Sequence, residues 1–479
     1  MVDFPTSTSL PMRPTNHVSQ ESTATDRGPT ASKLVRQVGL FDAIMVVMGG
    51  IIGAGIFINA YVVARQVHTP VLILSAWGVG GLLALLGAFI YAELADRLPD
   101  VGGQYAYLRE AYHPVLGFLY GWVLLLVIQT GGMAAVTVTF ARYFLELTRL
   151  QFSDRTIAVV ALTLLTLVNC LGVKLGSRVQ SALMVLKIGA IAGLIVAGLW
   201  LIRVPHPVLH PVLDRPVSFG LFTSFGAAMV PVLFSYGGWQ TANFIAGEIK
   251  EPRVNLPRAL LIGVAGVIVL YVTVNLVYLR ALGPSDLAGT TVPATAAMHL
   301  ALGERGATLI AFGITISTLG FLSQSILTAP RVYFAMAEDG VFFRGVASVN
   351  ARTHAPVVAI VLQSGWTAVV ALSGRYEQIL NYVVSMDFLF FGLTATCIFV
   401  FRHRERVRSS SIAAGDQQRT GYRVPGHPFT TGIFVLISWL VVVNTIYKYP
   451  ANSLLGMLIL LLGVPAYAFW HHRQKSGTR

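Results

Sequence analysis

Uncharged apolar runs recur along the whole chain, separated by short polar segments. Ten of them, residues 43–64, 71–92, 114–141, 156–173, 217–247, 259–279, 306–330, 355–374, 424–447 and 450–470, contain no Asp, Glu, Lys or Arg. Two more, 179–202 and 378–401, carry one charge each, Lys187 and Asp387. A bilayer core needs about twenty apolar residues per helix, so the pattern predicts about twelve transmembrane helices. Lipid cannot satisfy free backbone groups, which makes each run helical. A β-barrel does not fit, because barrel strands alternate apolar and polar residues over roughly half this length. The Ser-, Thr- and Pro-rich segment 1–32 reads as a disordered cytoplasmic tail. It has no apolar signal-peptide region, so the first helix is expected to act as its own insertion signal.

Composition sharpens this picture. Hydrophobic residues make up 55% of the chain and charged residues only 11%, against about 25% charged in a soluble domain. The length is therefore read as one membrane domain. The net charge of +13 reflects cytoplasmic loops rather than nucleic-acid binding. One set of alternate loops holds 9 Lys and Arg, whereas the other set with both termini holds 23, richest between Arg402 and Arg423. The positive-inside rule places both termini in the cytoplasm. The two cysteines, Cys170 and Cys397, lie inside apolar runs with no metal-binding spacing. No metal and no cofactor is expected.

Two helices are interrupted. The first carries Gly49-Gly50-Ile51-Ile52-Gly53-Ala54-Gly55, and the sixth carries Ser235-Tyr236-Gly237-Gly238-Trp239-Gln240. Glycine in a helix interior costs about 1 kcal/mol, so such clusters either unwind the helix or let two helices pack closely. The clusters lie five helices apart. Five is odd, so the first and sixth helices cross the membrane in opposite directions, and helices one to five and six to ten form inverted halves. Unwound segments at corresponding places in two halves point to a transporter site near the midplane. Freed N–H groups there favour an anionic group and freed carbonyls a cationic one. A zwitterion such as an α-amino acid suits both.

The residues carry a resemblance as well. Gly49 to Phe57, then Tyr91-Ala92-Glu93-Leu94, Gly102-Gly103-Gln104-Tyr105 and Gly117 to Trp122, resemble the amino acid–polyamine–organocation superfamily. Phe234 to Trp239, Glu248 to Pro252 and Asn255 to Ala259 are similar to its L-type amino acid transporter branch, as is Asn169 to Lys174 leading to Gln180 and Lys187. The likeness runs from Leu34 to Arg402. It implies an all-α membrane protein with a five-plus-five inverted repeat, broken helices 1 and 6, and two peripheral helices. The core would span 33–402, followed by a cytoplasmic loop at 403–423, the peripheral helices within 424–470 and a tail at 471–479. The resemblance further implies that a substrate carboxylate meets N–H groups around Ile51, Gly53, Ala54 and Gly55. The ammonium would meet carbonyls of Ile51, Phe234, Ser235 and Gly237, with Phe234 as a gate. Ala54 stands where many relatives have Ser, so one hydroxyl contact is missing. Lys187 would take the place where sodium-coupled members of this fold bind sodium.

Other residues carry plainer alternatives. Asp387 fits a proton or substrate relay as well as a satisfied polar contact. Glu93 and Glu248 lie near cytoplasmic helix ends and are expected to be solvated rather than gate partners, and Arg142 to snorkel. Trp239, beside the break, is a candidate for the pocket. The chain has no G-x-S-x-G, no H-E-x-x-H and no Walker motif, and no filter-like repeated loop, which disfavours enzyme, ATP-driven and channel readings. The function expected is sodium-independent transport of neutral L-amino acids across the cell membrane, by exchange. Proton-coupled amino acid or polyamine symport is the alternative. The outer loop from Glu146 to Arg155 has no cysteine, so no disulfide-linked heavy chain is expected.

Overall fold

The computed structural model describes residues 36–203, 205–373, 376–411 and 421–476. The segment 1–32, the middle of the 403–423 loop and the last residues of the 471–479 tail lie outside the described residues. Each of the twelve predicted runs is helical, and they are numbered helix 1 to helix 12 in chain order. Nine spans are at least 18 residues long and apolar: Pro70–Arg97 (helix 2), Pro114–Thr148 (3), Val173–Trp200 (5), Phe219–Glu248 (6), Pro252–Gly289 (7), Glu304–Glu338 (8), Tyr382–Val407 (10), Phe429–Lys448 (11) and Ser453–Trp470 (12). Helices 4 (Asp154–Cys170) and 9 (Val357–Ser373) have 17 residues each. Helix 1 is divided into Leu40–Ile51, Gly55–Ile58 and Ala60–Gln66. The protein is an all-helical, multi-pass membrane protein.

Local chemistry sets where the helices start. The Thr69 and Ser153 hydroxyls accept from the N–H groups of Leu72 and Thr156, and Pro70 and Pro114 open their helices where a missing N–H costs nothing. Ser218 caps helix 6 in the same way. Two short helices were not legible in the apolar pattern, Gln104–Ala111 and Pro293–Leu302. The first has 8 residues with polar ones at close intervals, and the second, though largely apolar, has only 10, too few to span a bilayer.

The pairing of helices is that of an inverted repeat. The first part of helix 1 packs against the second part of helix 6, and its later parts pack against the first part of helix 6. Two broken helices can exchange halves in this way only when they run antiparallel. Helix 2 packs on helix 7, helix 3 on helix 8 and helix 4 on helix 9, so each of these helices meets its counterpart five positions on. Helices 11 and 12 sit outside, against helix 10. Their outer faces expose Leu436, Leu440, Val443, Leu454, Leu458 and Leu461, the side chains expected to meet lipid.

The helix ends on the Arg-rich face differ from the sequence expectation. Glu93 is fully buried and accepts from Arg97, from both Nε and Nη2 of Arg402, and from the Val424 N–H at 2.7 Å. This ties helix 2 to helix 10 and to the segment entering helix 11. Glu248 is buried against Arg331 of helix 8. A buried carboxylate is stable only with such partners, and apart from Arg97, four residues along helix 2, those partners come from segments remote in sequence. Beside Glu248, the segment before helix 1 runs along the end of helix 6, where Gln37 and Val38 donate to the Glu248 carbonyl and Lys250 donates back to Val38. Arg142 is exposed at a helix end, as expected, 3.7 Å from Asp154.

Candidate functional site

The two breaks touch. A Cβ on Gly238 would lie 2.1 Å from the Gly50 carbonyl oxygen, and one on Gly50 would lie 2.5 Å from the Gly238 oxygen. Gly238 also has φ +98°, a left-handed conformation that suits glycine. The glycines therefore serve both purposes weighed from the sequence: they let the chain leave the helix, and they let two backbones meet. Asn59 secures the contact from the other half of helix 1, donating to the Ser235 hydroxyl at 2.9 Å and to the Pro231 carbonyl at 3.1 Å. The Tyr271 hydroxyl of helix 7 sits between the carbonyls of Ile51 and Ser235, at 3.1 and 3.2 Å. It carries one proton to share between them.

A cavity of about 670 Å³ opens onto both breaks. Of the residues singled out from the sequence, Ile51, Gly53, Ala54, Gly55, Phe234, Ser235 and Gly237 all line it. At the first break, among the described residues, the N–H groups of Gly53 and Ala54 have no hydrogen-bond acceptor, whereas Ile52 N–H still reaches Met48. At the second break the Phe234 carbonyl accepts from the Gly237 N–H at 3.2 Å and keeps a second lone pair. One edge of the cavity thus presents free donors and the other a turn of carbonyls.

Trp239 stands elsewhere. Its ring is stacked on Phe391 and edge-on to Tyr91, with centroids 5.2 and 4.7 Å away. It lines a smaller apolar cavity of about 250 Å³ that shares Leu233, Gly237 and Phe388 with the larger one. Lys187 is also outside the cavity wall. It is fully buried and its ammonium donates to the carbonyl of Ile52, in the first break. Gly320 of helix 8 makes room for it, since a Cβ there would come within 3.4 Å of Nζ. The neighbouring Gly53 carbonyl accepts from Ser317, also of helix 8, at 3.2 Å. The carbonyls freed by unwinding are thus taken by one ammonium and one hydroxyl.

Several lining residues were not found from the sequence. Helix 3 has a π-helical turn at Leu124–Ile128, and the residues at its end, Ile128 and Gln129, face the cavity. Such turns widen a helix and often mark functional sites. Helix 8 contributes Phe321, Gln324 and Ser325, with Gln324 donating to the Thr241 hydroxyl at 2.6 Å. Polar residues inside otherwise apolar helices were the available signal. Helix 10 contributes Asp387, the only charged side chain among the described lining residues. Among the described residues no group of three His, Cys, Asp or Glu side chains is placed to hold a metal ion.

A family model described as amino acid permease matches residues 38–464. The chain is 30% identical to the serine/threonine exchanger SteT of Bacillus subtilis (strain 168), over 92% of this chain and 98% of that protein. It is 28% identical to the large neutral amino acids transporter small subunit 2 of Mus musculus, over 96% of this chain and 86% of the relative. It is 27% identical to the cystine/glutamate transporter of Homo sapiens, over 92% and 86% of the two chains. The matched region takes in helices 1 to 11, most of helix 12 and both breaks, and on that ground the chain belongs to the amino acid permease family.

Proposed function

We propose that the chain is a secondary transporter that exchanges neutral L-amino acids across the cell membrane without sodium, with both termini in the cytoplasm. The observation that carries this is a cavity bounded by both breaks, with N–H groups at Gly53 and Ala54 that are unpaired among the described residues and a turn of carbonyls at Phe234 to Gly237. An α-carboxylate fits the first edge, around Ile51, Gly53, Ala54 and Gly55. An α-ammonium fits the second, reached by the carbonyls of Ile51, Phe234, Ser235 and Gly237, while the Phe234 ring stands as a gate. Tyr271 leaves each carbonyl it touches a second lone pair. Trp239 backs this site from the adjoining apolar cavity.

Lys187 supports independence from sodium, because its ammonium already holds the Ile52 carbonyl where a bound cation would need oxygen ligands. Exchange agrees with the name of the Bacillus relative, an exchanger. The lining disfavours acidic substrates: among the described residues no Lys or Arg faces the cavity, so an acidic side chain would enter a low-dielectric space without a partner, at a cost of several kcal/mol, and a neutral substrate agrees with the name of the Mus musculus relative. One relative is named a small subunit, yet the loop from Glu146 to Arg155 lacks the cysteine a disulfide-linked heavy chain would need. The chain is proposed to work alone.

The test is reconstitution in proteoliposomes. Labelled alanine or leucine should enter vesicles loaded with unlabelled neutral amino acid much faster than empty ones, equally in sodium and choline. Asp387 favours the rival, proton-coupled symport. Accumulation in empty vesicles driven by an imposed pH gradient would establish that rival and refute exchange. A disulfide-linked heterodimer on a non-reducing gel would refute the standalone chain.

A further inference from the structure

Asp387 is 9% exposed, faces the cavity between the breaks, and has an Oδ1 with no hydrogen-bond partner among the described residues. Unsatisfied buried carboxyl groups are costly, and the apolar neighbours Val383, Val384 and Phe388 on the same helix offer this one nothing. Its place is close to the proposed ammonium site. The point where a Cβ on Gly237 would stand is 3.3 Å from the Phe234 carbonyl and 3.9 Å from Asp387 Oδ2. The carboxyl group and the carbonyl turn therefore flank one spot.

We propose that Asp387 is a specificity-determining residue that hydrogen-bonds a hydroxyl on a short substrate side chain, so that the cavity prefers serine and threonine to apolar amino acids of equal size. This rests on the amino acid transport reading above and deepens it. With the α-ammonium against the helix 6 carbonyls, the side-chain oxygen of serine or threonine extends one bond beyond the β-carbon and meets the carboxyl group. A hydroxyl pairs with a carboxyl group in either protonation state, because it both donates and accepts. Valine has the shape of threonine but puts a methyl group there, displacing solvent and leaving Oδ1 unpaired. A longer cationic side chain overshoots, since its charge lies several bonds further out. A site built around a hydroxyl discriminates strongly against the analogue that lacks it, for the same reason.

The experiment is competition against labelled alanine in proteoliposomes containing the full chain. Threonine is expected to compete about tenfold better than valine, and serine better than alanine, in the wild type. Asp387→Asn, which keeps a hydrogen-bonding group, should retain a preference for threonine. Asp387→Leu should bring threonine and valine level, with alanine still exchanged. Equal competition by threonine and valine in the wild type would overturn the proposal without any variant being needed. So would lysine competing better than threonine, which would make Asp387 a counter-ion for cationic side chains. Equal weakening of threonine, valine and alanine by Asp387→Leu, with Asp387→Asn normal, would also overturn it, placing the carboxyl group on the α-ammonium. If no amino acid competes at all, the transport reading itself falls, an outcome distinct from the loss of threonine–valine discrimination.

Discussion

Arg331 donates from Nε to Glu248 Oε1 at 2.7 Å, and each side chain is only 1% exposed. One residue closes helix 6 and the other lies in the last part of helix 8, so a single ion pair fixes the end of a broken helix to the wall of the cavity. Removing one member of such a pair strands the other as a buried charge, at about 3–5 kcal/mol. Glu248→Gln and Arg331→Met should each lower the thermal unfolding midpoint of the detergent-purified protein. Replacing both, as Glu248→Leu with Arg331→Met, should recover more than half of the loss. A double variant no more stable than either single one would show that the pair is not an energetic unit.

The contact between the breaks gives a sharper test on the backbone. Gly238→Ala drives a methyl group into the Gly50 carbonyl, backbone that cannot step aside as a side chain could, and does so at φ +98°. Exchange should be abolished. Gly78→Ala in helix 2 meets nothing within 4 Å and should leave exchange intact, with stability unchanged or raised by up to about 1 kcal/mol from better helix propensity. Measuring both variants for membrane expression and for alanine exchange separates a damaged site from a protein that fails to fold. Full exchange by Gly238→Ala would mean that the breaks are not in close contact in the working protein.

The number of helices and the two breaks were legible in the sequence because length, charge and glycine clustering act locally, whereas the seven cavity residues were named through the family resemblance. What escaped depends on how each helix is rotated. Helices apolar on nearly every face have no single stripe to show which side faces inward, so Asp387 was open between cavity and bundle until helix 10 was in place. Gln129 and Gln324 were hidden for the same reason. Glu93 and Glu248 were misjudged because their arginine partners, Arg402 and Arg331, lie about 300 and about 80 positions away along the chain. Trp239 sat next to a legible break yet faces the adjoining cavity, since one residue along a helix turns the side chain by roughly 100°.

Membrane orientation is open to a direct check at Leu209. It is 68% exposed in the segment between helices 5 and 6, on the side with few Lys and Arg. In a background with Cys170 and Cys397 replaced by Ala, Leu209→Cys should react with a membrane-impermeant maleimide added outside intact cells. Reaction only after the membrane is permeabilised would invert the proposed topology.

Lys187 gives the last prediction. Unwinding at Ile52 and Gly53 leaves carbonyls that no helix N–H satisfies, and the ammonium of Lys187 takes the one at Ile52. A hydrogen bond from a charged donor contributes about 1.5–3 kcal/mol, so its loss should weaken substrate binding roughly ten- to a hundredfold if the first break is thereby loosened. Lys187→Met keeps the length and the apolar contacts of the side chain but removes the donor. It should therefore fold, reach the membrane and show a raised apparent KM for alanine exchange, while the wild type exchanges alanine at the same rate in sodium and in choline. Two results would defeat the assignment. A strict sodium requirement in the wild type would mean that a metal cation, and not the ammonium, completes the site. Unchanged KM in Lys187→Met would mean that the first break holds its shape without the lysine.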